Sequence, residues 1–218
     1  MMGAAAGHLE HFEQKMSTPS QATKPKDYFS IFSLPRKLWI EMQQLEQKFL
    51  QMSWKLHPDN FVSATEAERE SSLRESSELN DAYRTLKEPV ARVEYLLGIE
   101  GARKEGEQKQ QVPPELLEEV FELNESLDEL REAKSEGSDL AGLRSGLEAA
   151  QKSFQQKLEE VDAELFKTAR RWDATVDVEA SGTNAGPERE VVKARLNELL
   201  NRRAYIRNLV NNVQKELL

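Results

Sequence analysis

Apolar side chains recur at alternating intervals of four and three along most of this chain, and that period leaves room for little besides α-helices. The first run falls at Leu38, Met42, Leu45, Phe49, Met52 and Leu56, one face of a helix of about five turns. It stops at Pro58, which disfavours helical geometry at His57 and cannot continue the hydrogen-bond ladder. The spacing therefore predicts a helix over 38–56, with His57 and Asp59 on an exposed turn just beyond it. Ser63 followed by Glu66 has the spacing of a capping box, with Thr65 as the other candidate cap. A second helix is expected from there to about residue 86, with Leu73, Leu79, Ala82, Tyr83 and Leu86 inward. Lys87, Glu88 and Pro89 break it, and PVARVEYLL forms a short helix up to Gly98.

The stretch 98–112 is poor in apolar residues and rich in Gly, Gln, Glu and Lys, and reads as a linker. Three more helical seams follow. One runs through Leu116, Val120, Leu123, Leu127 and Leu130, within 114–134. Another, over 138–172, takes Leu140, Leu143, Leu147, Ala150, Phe154, Leu158, Val161, Leu165 and Ala169. The last, over 187–218, takes Val192, Leu196, Leu199, Ile206, Val210, Val213 and Leu217, with Pro187 in its first turn. The connections SEGSD and DVEASGTNAG (177–186) allow antiparallel neighbours, so a three-helix bundle is expected. A composition of 32% charged and 7% aromatic residues agrees with an all-α chain. The expected organisation is a disordered N-terminal tail over 1–24, a helical hairpin flanked by short helices over 25–98, a linker over 99–112 and a three-helix bundle over 113–218.

Several functions are excluded by composition. A net charge of −9 opposes nucleic acid and anionic membrane as partners, since both require a basic face. The excess is concentrated in 112–218, with 15 basic against 22 acidic residues, while 24–98 holds 11 against 12. The lack of cysteine removes disulfides, thiol nucleophiles and thiolate metal or cluster ligation. No cofactor is expected. No apolar run approaches a membrane span, and the first 23 residues hold one Lys, no Arg and two Glu, unlike an Arg-rich presequence. The expected compartment is the cytoplasm, with the mitochondrial matrix as the alternative.

His57 and Asp59 could serve as an acid–base pair or as metal ligands. Both roles need further convergent groups, and the other histidines, His8 and His11, lie in the tail. The dipeptide Trp172-Asp173 stands without blade-length repeats and is no propeller signal.

On the helix over 114–134, Leu117 and Phe121 fall one residue round from the core seam. Glu118, Glu122, Glu125 and Glu129 stand about them, and 115–130 carries seven acids and no base. Like charges at i, i+4 cost helix stability, and an apolar centre with a charged rim is how recognition surfaces are built. The competing reading is that Leu117 and Phe121 widen the buried stripe.

KPKDYFSIFSLP, the stripe ending in WKLHPDN, and LNDAYRTLKEPVARVEYLL together resemble a J-domain, the module by which co-chaperones act on DnaK-type ATPases. The ARVEYLL ending, the short linker and PELLEEVFELNESLDELREAK extend the resemblance to the HscB family of iron–sulfur cluster assembly co-chaperones. Asn60 departs from the lysine that often follows HPD, and the first long helix has only Lys48 and Lys55 as basic residues. The resemblance implies a non-enzymatic co-chaperone with two partners. His57, Pro58 and Asp59 would engage an HscA/DnaK-type ATPase chaperone. Leu117, Glu118, Phe121, Glu122, Glu125 and Glu129, with Tyr205, would bind an IscU-type scaffold. The alternative is a general J-domain protein delivering other clients.

Overall fold

The computed structural model describes residues 27–103, 112–137 and 139–218. It is built from α1 (Tyr28–Ile31), α2 (Met42–Lys55), α3 (Glu66–Lys87), α4 (Pro89–Ile99), α5 (Leu117–Glu136), α6 (Ala141–Ala180) and α7 (Gly186–Leu217), with 3-10 turns at Pro58–Phe61 and Pro114–Leu116. The described residues include no strand, so the all-α expectation holds. The expected tail 1–24 and most of the expected linker lie outside the described residues, as does Ser138.

Helices α2 and α3 form the hairpin. Phe49 and Tyr83 stack across it with ring centroids 4.1 Å apart, and Leu45, Leu79, Ala82 and Leu86 are buried. The short α1 is capped by Asp27, whose carboxylate accepts from Ser30 N and pairs with Arg36. Arg36 reaches on to Glu100, and Tyr28 stacks on Tyr95, so α1 is fastened to α4.

In the C-terminal half, α6 runs antiparallel to both α5 and α7. Ion pairs record the register: Lys157–Glu119 at 3.1 Å joins α6 to α5, and Arg203–Asp162 at 2.5 Å joins α7 to α6. Arg202–Glu115 ties the start of α5 to the middle of α7, and Arg131–Glu216 ties the later part of α5 to the end of α7. The predicted α5 seam is buried at all five positions.

The structure corrects four local expectations. Helix α2 begins at Met42, four residues after Leu38, because Leu38 and its neighbour are taken by other elements. Their amides donate to the Asp173 carboxylate, and the Leu38 carbonyl accepts from Arg92. With those groups satisfied from outside, no helical turn is needed there. The cap of α3 is Thr65 paired with Glu68, a complete capping box, where Ser63 with Glu66 was the leading expectation. Leu73 is 69% exposed, since Ser72 takes the inward position and donates to the Leu56 carbonyl. Finally, α6 continues eight residues beyond Trp172, to Ala180, which leaves only 181–185 as the connection. Gly182 turns there at φ +84°.

That extension of α6 joins the two halves. Trp172 is fully buried, and its indole N–H donates to the Arg36 carbonyl at 2.7 Å. Asp173 spans the two amides at 2.6 and 2.9 Å, and Asp177, in the stretch expected to be a connection, pairs with Lys37 at 2.6 Å. Arg103 bonds both Asn197 and Asn201 on α7. One contiguous cluster of buried apolar side chains runs from Phe29 to Val213 through both halves.

Candidate functional site

The HPD turn is held from three directions. Proline occupies the start of the 3-10 turn, and His57 caps it with its side chain. The His57 Nδ1 accepts from the Asp59 amide at 3.3 Å, so the neutral ring keeps its proton on Nε2 and can donate outward. The Asp59 carboxylate lies 3.5 Å from Nδ1, with its side chain 86% exposed. It is left open to a cationic partner.

Asn60 supplies the anchor. Its amide donates to the Trp54 carbonyl at 2.7 Å, which also accepts from the His57 amide, and to the Lys55 carbonyl at 3.4 Å, among the acceptors left open at the end of α2. Asn60 thus ties the turn to the helix. Ser72 holds the Leu56 carbonyl from α3. Sequence reasoning missed both roles; an amide side chain soon after a helix-ending proline was the available signal for Asn60. Lys48 donates to the Phe32 carbonyl at 2.7 Å and is committed to holding α1. A groove of about 350 Å³ opens beside the turn, with Leu56, Pro58, Phe61 and Leu73 among its walls.

The second candidate surface lies on α5. Leu117 and Phe121 are 55% and 70% exposed, so they do not widen the buried stripe. Glu118, Glu122, Glu125 and Glu129 are exposed with them. The acids of α5 divide by direction. Glu119 pairs with Lys157 and Asp128 with Arg131, whereas among the described residues no cation pairs with the four outward glutamates. The preceding Glu115 pairs with Arg202. The structure therefore brings Leu117, Phe121 and four unpaired carboxylates onto one helix face. Tyr205 lies on α7, three residues past the Arg202 that pairs with Glu115, and packs against the core. Burial raises its phenol pKa, and no hydrogen bond among the described residues joins it to the α5 acids.

Asp173 and Arg92 are buried charges that both bond the backbone at Leu38, where the two halves meet. Arg92 is 4% exposed and donates to the carbonyls of Leu86, Leu38 and Lys87. Burial lowers its pKa, and the nearby charge of Asp173 opposes that shift. Burial also raises the Asp173 carboxyl, against the two amides and Lys37, which favour its charged form. Read as a bare dipeptide, Trp172-Asp173 gave no hint of this, because its partners lie more than 130 residues away. Among the described residues no group of three metal-ligating side chains occurs, and no helix is long and apolar enough to cross a membrane.

The family model described as the HSCB C-terminal oligomerisation domain matches residues 112–177, which span α5 and most of α6. Chaperone HscB from Vibrio cholerae superimposes with a TM-score of 0.56 at 24% identity, over 87% of this chain and 96% of that one. The human co-chaperone protein HscB gives 0.53 at 23% identity, over 96% and 93%. At these identities the two solved structures speak for a common fold across nearly all of each molecule. Residues 112–177 thus match the HSCB C-terminal domain model, and the chain as a whole shares the fold of two solved HscB structures.

Proposed function

We propose that the protein delivers an IscU-type iron–sulfur scaffold to an HscA/DnaK-type ATPase chaperone and stimulates ATP hydrolysis at the same encounter. The observation that carries this reading is the pairing of two exposed, separately built surfaces on one continuous core. An open HPD turn lies at one, and an apolar centre with unpaired carboxylates lies at the other. Asp59 accepts a charge-assisted bond from a cation of the ATPase. His57 donates from Nε2, and Pro58 holds the turn. Leu117 and Phe121 fill an apolar recess of the scaffold, with Glu118, Glu122, Glu125 and Glu129 facing its basic groups. Tyr205 contributes from α7. No proton transfer is asked of His57, and the iron–sulfur cluster is cargo on the scaffold.

Holding both partners on one body raises the effective concentration of each for the other. The junction through Asp173 and Trp172 limits how far the two surfaces can swing apart. The activity fits a cytoplasmic protein or one of the mitochondrial matrix. The test is steady-state ATP hydrolysis by the chaperone with Asp59→Asn and His57→Gln, alongside circular dichroism. Both variants are expected to fold and to lose stimulation, since a lost charge-assisted bond costs about 1.5–3 kcal/mol. Full stimulation by both would remove the HPD turn from the mechanism.

A further inference from the structure

Where the hairpin meets the bundle, an apolar groove of about 300 Å³ stays open to the surface. Trp39, just ahead of α2, and Met42 line one side, and Phe166 and Ala169 of α6 line the other. Trp39 is 69% and Phe166 41% exposed. Core packing accounts for neither: Leu38 takes the inward position beside Trp39, and the buried face of α6 here is Leu165, Ala169 and Trp172. Four charged side chains also line the groove, Lys87, Arg92, Arg170 and Asp173. The two buried ones are already bonded, Arg92 to backbone carbonyls and Asp173 to the Leu38 and Trp39 amides. Lys87 and Arg170 are exposed at the rim. The Lys87 ammonium lies 5.6 Å from the Tyr83 ring centroid, and the Arg170 guanidinium 5.3 Å from that of Trp39. Among the described residues neither pairs with a carboxylate, whereas Lys37 and Arg171 close by pair with Asp177 and Glu188. Glu41 and Glu88 are exposed nearby in sequence, yet neither lines the groove; Glu88 lines the adjoining cleft, with Glu94.

We propose that this groove receives a short acidic segment of a partner protein, one or two of whose large apolar side chains enter between Trp39 and Phe166 while its carboxylates pair with Lys87 and Arg170. Charge identifies the occupant. The chain as a whole carries −9, but this groove presents three cations against one carboxylate that is already bonded, which selects an acidic ligand and disfavours a basic one. Size limits it: about 300 Å³ is the lower end for a ligand pocket, room for a few side chains. The site is also set in advance, since Asp173 fixes the Trp39 amide at 2.9 Å and Arg170 covers the indole, so little freedom is lost on binding. One wall belongs to the hairpin and the other to α6, so an occupant bridges the junction and stabilises it by mass action. Neither the HPD turn nor the α5 face takes part.

The probe is an amidated, fluorescein-labelled peptide, Glu-Asp-Phe-Leu-Asp-Glu, titrated with the full chain and read by anisotropy, with Lys-Lys-Phe-Leu-Lys-Lys as the control of opposite charge. The acidic peptide is expected to bind at least about tenfold more tightly than the basic one and to weaken several-fold between roughly 50 and 300 mM salt. Trp39→Ala, and separately Lys87→Gln with Arg170→Gln, should each weaken it about tenfold with unchanged circular dichroism, because all three side chains are exposed. Trp39→Phe should restore most of the loss. Unlabelled acidic peptide should shift the tryptophan emission to the blue, a shift absent in Trp39→Ala and kept in Trp54→Ala. No binding below about 1 mM, equal affinity for the two peptides, or an affinity indifferent to Trp39→Ala overturns the proposal. Self-association that Trp39→Ala abolishes, read by sedimentation, would put the acidic α5 face of a second copy in the groove and overturns it as well.

Discussion

Asp173→Ala should loosen the junction between the hairpin and the bundle more than any surface substitution. The carboxylate accepts from Leu38 N at 2.6 Å and Trp39 N at 2.9 Å, and charge-assisted bonds contribute about 1.5–3 kcal/mol each. Removal leaves the buried Leu38 amide unpaired and deprives Arg92, 4% exposed, of the larger of the two charges, Asp173 and Glu88, that offset its burial. Relief of the carboxylate's own burial offsets part of this. Breaking one side of a buried charge arrangement typically costs about 3–5 kcal/mol, and that is the loss expected here, a large part of the roughly 5–15 kcal/mol of a whole domain. Urea unfolding reads it in two ways. Circular dichroism follows all the helices, while the tryptophan emission divides cleanly, because Trp172 is buried and Trp39 and Trp54 are 69% and 78% exposed. In the variant the emission should shift red at lower urea than the loss of helix, as the junction opens before the bundle unfolds. A change under about 1 kcal/mol with coincident transitions would refute the reasoning, since surface substitutions already reach that range.

Two other outcomes follow from the geometry. Asn60→Ala removes the amide that ties the HPD turn to the Trp54 and Lys55 carbonyls. It should cost about 1 kcal/mol of stability and lower maximal ATPase stimulation several-fold, read from melting curves and the chaperone assay. Acid should release α1 first. Burial raises the Asp27 carboxyl, but the Arg36 guanidinium and the Ser30 amide outweigh it and hold the group below its usual range. Its contribution is present above the unfolded value of about 3.9 and is lost as pH falls through the lower folded value. Asp173, with its pKa raised, runs the other way: the folded state holds its proton more tightly, so its contribution falls as pH rises through the raised value. Hydrogen exchange below about pH 4 should therefore show α1 amides losing protection while those of Leu38 and Trp39 are retained.

The parts of the fold that were legible in the sequence are those where one helix face is buried along its whole length. The seam from Leu116 to Leu130 is such a case, because each residue's burial repeats with the helical period. Where a distant side chain decides, the pattern misled. Leu38 has the right spacing for α2, yet Asp173 and Arg92 hold its backbone out of the helix. The segment from Asp173 to Ala180 is rich in β-branched residues and reads as a poor helix, but Thr175 is buried and Asp177 is paired with Lys37, so packing on the hairpin keeps it wound. The α5 face was legible as an excess, apolar residues and unbalanced acids with no place in the core.

The central claim is that one body carries scaffold and trigger together, and chaperone ATPase measured with and without scaffold tests it most directly. The intact protein should stimulate hydrolysis alone and further when the scaffold is added. Leu117→Ala with Phe121→Ala should leave the first effect and the melting temperature intact while erasing the second, because truncating two hot-spot residues costs about 2 kcal/mol or more each in binding and both side chains are exposed. A scaffold-dependent increment that survives the double substitution, in a protein of unchanged stability, would contradict the account.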